Sequence, residues 1–363
     1  VRLVKYLDSL RIGPSKDNSP TPARGGRPRQ QTEPVEYEIR RMRPNEAIEI
    51  SRTVFQSYGY SYANEFVYYP DRIAAMNQSG QMLSAVAVLR ETGEIAGHSA
   101  LLFNNDLPAE VAVAVTKPEF RGQGIARRLG EYLEGQACNM GLKGLYMKEV
   151  TVHPYTQKFA EKLGFRDCGM LLAHSPKTLS FKGIADEPSQ RNSDVLGFRL
   201  IADPPLRELY LPERHAAVIS SLYNSLGIPL HPRSTKAVPD VTQKTVVKSV
   251  VSPLRSVCEI HFSRYGGDLL GMLKQELRRI RRQEVKLVEM YLRLTDPLTP
   301  WIVPQAEKMG FFFSGILPET PGGDSVILQY FNGIQVEYDE LVIVRPGTAA
   351  VLEYIKTLDP TMA

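Results

Sequence analysis

The sequence predicts a mixed α/β fold of the α+β type, written twice along the chain. Three observations predict it. Apolar periodicity switches between strand and helix spacing from Tyr37 onward. A glycine-bearing turn, Arg121-Gly122-Gln123-Gly124, separates an apolar strand from an amphipathic helix. One phrase also occurs twice, AEKLGFRDCGML from Ala160 to Leu171 and AEKMGFFFSGIL from Ala306 to Leu317, with seven of twelve positions identical at a constant offset of 146. A length of 363 residues accommodates two domains, each able to bury a core.

Residues 1–36 stand apart from this pattern. VRLVKYLDSLRI has helical spacing of Val1, Leu3, Val4, Leu7, Leu10 and Ile12. It resembles the closing helix of an anti-sigma-type histidine-kinase-like ATPase domain, which implies an upstream ATPase-like domain as partner. The chain opens on Val1 rather than Met, as a fragment would. GPSKDNSPTPARGGRPRQQTEP, from Gly13 to Pro34, is rich in Pro, Gly, Ser and Arg without apolar periodicity, and reads as a flexible linker.

The first unit is expected over residues 37–202. YEIRRM is a short strand, followed by helices from Pro44 to Gln56 and from Ala63 to Met76. QMLSAVAVL and IAGHSALLF flank RETGE, a polar turn of hairpin length, and should pair antiparallel. A strand from Glu110 to Thr116, the glycine turn, a helix from Ile125 to Met140 and a strand from Gly144 to Val152 form a crossover. A helix from Pro154 to Leu163 and a strand from Cys168 to Ala173 close the unit.

The second unit is expected over residues 203–363. At the same offset MKEVTVHP aligns with RLTDPLTP, and SVCEIHFSRYGGDLLGMLKQELRRIRR repeats strand, loop and helix. YLPERHAAVISSLYNSLG supplies an earlier helix. The offset sets Asp268 and Leu270 against Gly122 and Gly124, with Gly266 and Gly267 close by. A carboxylate and added Cβ bulk in place of the glycines oppose binding of a diphosphate there.

The first glycine turn carries the chemistry. A helix start offers unpaired N–H groups and the positive end of the helix dipole, and glycines let a diphosphate approach the backbone. A Walker loop would need a following Lys-Ser/Thr, and a dinucleotide loop a third glycine; neither is present. VAVTKPEFRGQGIARRLGEYLEGQA followed by VTVHPYTQKFAEKLGF resembles the GNAT acyltransferase superfamily, whose acetyl-CoA loop has the form Q/R-x-x-G-x-G/A, here Arg121, Gly124 and Ala126 with Gly122 and Gln123 between. The chain as a whole thus resembles two tandem GNAT-like acyl-CoA N-acyltransferase folds, the second degenerate.

That resemblance implies acetyl-CoA as co-substrate, held by Arg121, Gly122, Gln123, Gly124, Ile125, Ala126 and Arg127, with the Val113, Ala114 and Val115 strand edge along the pantetheine arm. Lys117 and Arg128 are further candidates for the phosphates. It also implies direct attack of a primary amine on the thioester in a ternary complex, which requires an acid for the thiolate and a base for the amine. The Tyr that usually precedes the E-K-x-G-F phrase is Ala160 here. Tyr155 and His153 are then the candidate acids and Glu110 and Glu149 the candidate bases, while His153 beside Pro154 also fits a helix cap and either Glu a solvent-facing strand position. The acceptor stays open. The alternative function is a non-catalytic acyl-CoA-sensing or protein-interaction module of a larger regulatory protein.

Composition restricts the rest. A net charge of +4 and 23% charged residues are ordinary globular values. RRIRRQEVK crowds the end of an expected helix, where cations complement the dipole, and lacks aromatic interleaving, so no nucleic-acid partner is expected. Cys138, Cys168 and Cys258 fit neither a disulfide framework nor a zinc pattern, so buried thiols and no metal are expected. Trp301, Phe311, Phe312 and Phe313 are expected in the core. No apolar run spans a bilayer and no signal layout is present, so a cytoplasmic protein is the expectation.

Overall fold

The computed structural model describes residues 34–362 except 63, 105, 179–187, 239 and 241; the expected terminal helix and nearly all of the linker lie outside them. The first half comprises β1 (Tyr37–Arg41), α1 (Ala47–Tyr58), α2 (Pro70–Gln78), β2 (Met82–Leu89), β3 (Ile95–Leu102), β4 (Ala109–Thr116), α3 (Ile125–Asn139), β5 (Gly144–Val150), α4 (Tyr155–Lys162), β6 (Arg166–Ser175) and β7 (Asn192–Leu200). The second comprises β8 (Arg207–Tyr210), α5 (Ala216–Leu226), β9 (Leu230–Arg233), β10 (Val246–Ser252), β11 (Val257–Arg264), α6 (Leu269–Arg282), β12 (Leu287–Arg293), α7 (Thr299–Glu307), β13 (Phe312–Leu317), β14 (Ser325–Phe331) and α8 (Pro346–Lys356).

One sheet of twelve strands runs through both halves in the order β1-β2-β3-β4-β5-β7-β6-β13-β14-β12-β11-β10. Outward from the centre the two halves read alike. β4 and β5 are parallel across α3, as β11 and β12 are across α6; β7 and β14 each lie antiparallel between a crossover strand and the central strand. The second half departs at its start, where β8 and β9 form a separate parallel pair.

The repeated phrase has the same local structure twice. Ala160 and Ala306 are fully buried, and each accepts a bond from the Phe five residues on, Phe165 at 3.0 Å and Phe311 at 3.2 Å. Gly164 and Gly310 donate to Glu161 and Glu307, completing a Schellman end in each copy. The two phrases then meet. β6 and β13 pair at one position, Gly169 with Gly315, which are equivalent residues of the phrase. A Cβ on Gly169 would lie 2.6 Å from the Cα of Gly315, and one on Gly315 would overlap the Cα of Gly169, so only glycine permits the approach. Beyond this pair Gln329 takes over the ladder, accepting from Leu172 N–H (2.9 Å) and donating to Leu172 C=O (3.1 Å).

Two expected elements differ. The helix placed from Ala63 to Met76 is a 3-10 turn over Glu65–Tyr68 and then α2, because Pro70 forces Tyr69 into extended backbone (φ −119°) and starts a new helix. The unit expected to close on the strand at Cys168–Ala173 continues into β7, which inserts between β5 and β6. Phe311, Phe312 and Phe313 are core residues, as expected, and Trp301 packs partly buried against the same core. Among the described residues no helix is long and apolar enough to cross a membrane.

Candidate functional site

The two crossover strands of the first half part early. β4 and β5 pair only at Ala109–Leu145 and Glu110–Tyr146, then diverge. The edge of β4 from Val111 to Thr116 is left facing a cavity of about 300 Å³. A bulge bends the strand there: Val113 has φ 52°, outside the ordinary range for a β-branched residue, and the register with β3 shifts between His98 and Ala100. The buried ring of His98 holds this bulge. Val113 C=O can only accept, so Nδ1 of His98 carries the proton donated to it at 2.9 Å. Burial lowers the His98 pKa to about 4, which keeps the ring neutral.

At the other end the cavity reaches Ala126 in the first turn of α3. Gly122 (φ 85°) and Gly124 (φ 78°) carry the turn in left-handed backbone, and Gly124 is the N-cap of α3. A Cβ on Gly122 would meet nothing within 4 Å, and one on Gly124 only the Tyr37 hydroxyl at 3.9 Å, so the concave side of the turn is open. The far side is anchored: Tyr37 OH donates to Gln123 C=O (3.1 Å) and Val35 N–H to Gln123 Oε1 (2.9 Å). The first N–H groups of α3, from Ile125, Ala126 and Arg127, have no partner within the helix. An open turn and a helix start beside Ala126, with a strand edge that has no strand partner beyond Glu110, fit a diphosphate with an extended arm.

The nearby cations are engaged elsewhere. Lys117 pairs with Glu94 (2.6 Å), Arg127 with Glu131 (2.6 Å), and Arg128 lies over the ring of Tyr37 (5.0 Å). Arg121 donates to Thr116 C=O at 3.3 Å.

Of the four candidates for proton transfer, three line the cavity. Glu110 sits where the strands part and accepts from Tyr146 OH (2.9 Å) and Lys148 Nζ (3.2 Å). Tyr155, 62% exposed, stands at the first residue of α4. His153 accepts from the N–H of Tyr155 (3.3 Å), which is a capping role, and burial lowers its pKa. Glu149 is a correction. It is fully buried away from the cavity, with Oε2 at 2.5 Å from Arg345, which also binds Asp167. Burial raises the Glu149 carboxyl to about 8 against the pull of Arg345. Alternation puts successive strand residues on opposite faces, and Glu149 falls on the face closed by the second half. Ala160 lies in the core, and Cys168 is buried with its thiol donating to Leu196 C=O.

The structure adds polar residues that sequence reasoning missed. Lys148, His174, Ser175 and Asp194 line the inner end of the cavity, together with Arg255 from the turn between β10 and β11. Tyr58, Tyr62 and Asn64 line the cavity as well.

In the second half the corresponding strands β11 and β12 stay paired over five positions and the turn is occupied. Its loop slips by two residues from the offset, so that Asp268, the N-cap of α6, takes the place of Gly124. Gly267 N–H donates to Asp240 C=O (2.9 Å), Gly266 N–H to Thr245 Oγ1 (3.1 Å), and Asp268 Oδ1 accepts from Thr245 N–H (2.8 Å). The chain's own backbone fills that turn.

Several solved structures resemble the chain. Phosphinothricin acetyltransferase from Sinorhizobium meliloti, in complex with AcCoA, is 19% identical with a TM-score of 0.37, covering 45% of this chain and 88% of its own. The ribosomal-protein-S18-alanine N-acetyltransferase from Escherichia coli is 16% identical with a TM-score of 0.37, covering 47% and 97%. Ard1 from Thermoplasma volcanium is 15% identical with a TM-score of 0.36, covering 47% and 100%. No curated protein matches the chain. Residues 48–165, which hold the bulged strand, the glycine turn and the helix behind it, match the Acetyltransferase (GNAT) family, and a domain of that family is what this segment carries.

Proposed function

We propose that the chain is an N-acetyltransferase that moves an acetyl group from acetyl-CoA to a primary amine by direct attack. The observation that carries this reading is one cleft that runs from Ala126, in the first turn of α3 next to the open glycine turn, along the edge of β4 that β5 leaves, to the polar inner end of the cavity. The diphosphate lies on the turn and the thioester arm runs along Val113, Ala114 and Val115. The amine nitrogen attacks the thioester carbonyl carbon, forming C–N as C–S breaks. Glu110 takes the proton from the amine, and the Tyr155 hydroxyl gives one to the thiolate. Residues 37–202 form the catalytic unit. Residues 203–363 are a degenerate copy of the same fold, a reading supported by the repeated strand order and the equivalent glycines at the seam.

Titration of acetyl-CoA into the purified chain tests the donor, and release of CoA thiol with a panel of amines tests transfer. One equivalent bound, with amine-dependent release, is expected. Ala160 favours a second reading, an acyl-CoA sensor without turnover, since its methyl group in the core supplies no acid. Binding without release under any amine would select the sensor; no binding at millimolar donor would remove both readings.

A further inference from the structure

The inner end of the cavity holds Glu110, Lys148, His174 and Asp194 of the first half and Arg255 of the second. Glu110 and Lys148 satisfy each other. His174 is settled too. The guanidinium of Arg255 can only donate, so Nε2 of His174 accepts from Nη1 at 3.0 Å, and its Nδ1 proton goes to Glu289 at 2.7 Å.

Of the groups that line the cavity, Asp194 and Arg255 remain without a counter-ion in contact; Glu289, which does not line it, is held by His174, Gln329 and Tyr291. Asp194, on β7, is 3% exposed, and among the described residues no hydrogen bond or ion pair engages its carboxylate. Burial raises its pKa to about 6, with His174 and Lys148 opposing. Arg255 uses Nη1 on His174 and Nε on Ser252 Oγ (3.4 Å); its Nη2 donates to no described group, and no described carboxylate lies within ion-pair distance. For Asp194, buried without a partner, the charge is costly, and a ligand of opposite charge removes that cost, whereas Arg255 is partly exposed and lines the same cavity. A carboxylate also suits the open side of a guanidinium fork.

We infer, on the basis of the acetyl-transfer reading, that this end of the cleft is an acceptor site completed by the second half, and that the acceptor is a free zwitterionic amino acid whose ammonium lies against Asp194 and whose carboxylate lies against Arg255. A purely cationic amine would leave Arg255 facing a second positive charge. An anionic acceptor would face Asp194. The zwitterion alone matches both signs. This gives the second half a role although its own turn is filled: it supplies the residue that sets acceptor specificity.

The test uses the full chain with acetyl-CoA and each of the common α-amino acids, setting every amino acid beside its amide and its decarboxylated amine, with CoA release as readout. The best amino acid should exceed its amide and its amine in kcat/KM by on the order of tenfold or more, because both controls leave Arg255 unmatched. Arg255→Gln should abolish that preference through KM with kcat largely kept, and Arg255→Lys should restore part of it. Asp194→Asn should raise KM for all three compounds. Acetyl-CoA affinity, measured on each variant, should stay at the parent value and reports that the variants are folded. Equal rates with acid, amide and amine, an unchanged preference in Arg255→Gln, or no reaction with any amino acid while acetyl-CoA binds would each overturn the inference. Failure to bind acetyl-CoA at all would instead remove the transferase reading beneath it.

Discussion

In the first half β4 and β5 pair at two positions and part, whereas in the second β11 and β12 stay paired at five, from Val257–Leu287 to His261–Tyr291. The same strand order therefore carries an open cleft in one half and a closed sheet in the other. The turn at the following helix differs in the same sense: nothing stands where a Cβ on Gly122 would lie, while a Cβ on Gly266 would fall 2.5 Å from Gln243 C=O. His261 stacks on Tyr291 at 4.6 Å where the first half has its cavity. The difference teaches that one strand order is compatible with either a parted or a closed crossover. Ladder bonds and a filled helix start satisfy the backbone groups that a ligand would otherwise satisfy.

The strongest way to break the comparison is at the seam that joins the halves. Gly169→Val places a branched side chain against the backbone of Gly315 and Ser314, with the first atom already at 2.6 Å. Neither strand can retreat without breaking the sheet. A loss of more than about 4 kcal/mol of stability is expected, in the range reserved for overpacked, strained sites. Denaturant unfolding followed by circular dichroism measures it; a loss below 1 kcal/mol would mean that the halves are not held by this contact.

Next is Gly124→Glu, which sets a side chain in left-handed backbone and a negative charge over the N–H groups of α3. Acetyl-CoA affinity should fall by about a hundredfold or more, equivalent to about 2.7 kcal/mol. Calorimetry reads this directly. Unchanged affinity would place the donor outside the first cleft.

Much of this was legible in the sequence because its causes are local. The glycine turn, the start of α3 at Ile125 and the repeated phrase are set by neighbours along the chain, and all fall where their patterns put them. The expectation of one helix from Ala63 to Met76 misses the break at Tyr69, although its cause, Pro70, is local. β7 was not legible, because its position between β5 and β6 depends on pairing with strands far away in sequence. Glu149 and Asp194 show the same limit. Both are carboxylates on strands, and only the packing of the second half decides that one is buried against Arg345 and the other faces the cavity without a partner. Arg255 could not be assigned to a site in the first half at all, since it belongs to the turn before β11.

A smaller effect sharpens the electrostatic side of the comparison. The groups facing Asp194 are His174 from β6, Lys148 from β5, Glu110 from β4 and Glu289 from β12; burial, aided by Glu110 and Glu289 and opposed by His174 and Lys148, raises its pKa from 3.8 to about 6. A carboxyl that is harder to ionise in the folded state penalises folding when it is charged. The penalty is absent below about pH 4, grows up to about pH 6 and is constant above. Asp194→Asn should therefore raise stability at pH 8, by at most about 3 kcal/mol for a shift of this size, and the gain should vanish by pH 4. Unfolding at several pH values measures it. A variant less stable than the parent at pH 8 would mean that Lys148 and His174 already compensate the charge.

The smallest expected effect concerns the filled turn. Asp268 holds Thr245 N–H at 2.8 Å and lies 3.6 Å from Lys244 Nζ, so it fastens the segment that occupies the second loop. Asp268→Ala loosens that fastening, yet Gly266 and Gly267 keep their bonds to Thr245 and Asp240, and β11 and β12 remain paired over five positions. Acetyl-CoA should still bind at one equivalent, with affinity within about a factor of two of the parent, as for independent sites. Calorimetric stoichiometry decides between the two causes of closure. A second equivalent in Asp268→Ala would show that the filled turn alone shuts the second half; an unchanged count leaves the paired strands as the barrier, since a freed turn without a parted strand edge has nowhere to lay the thioester arm.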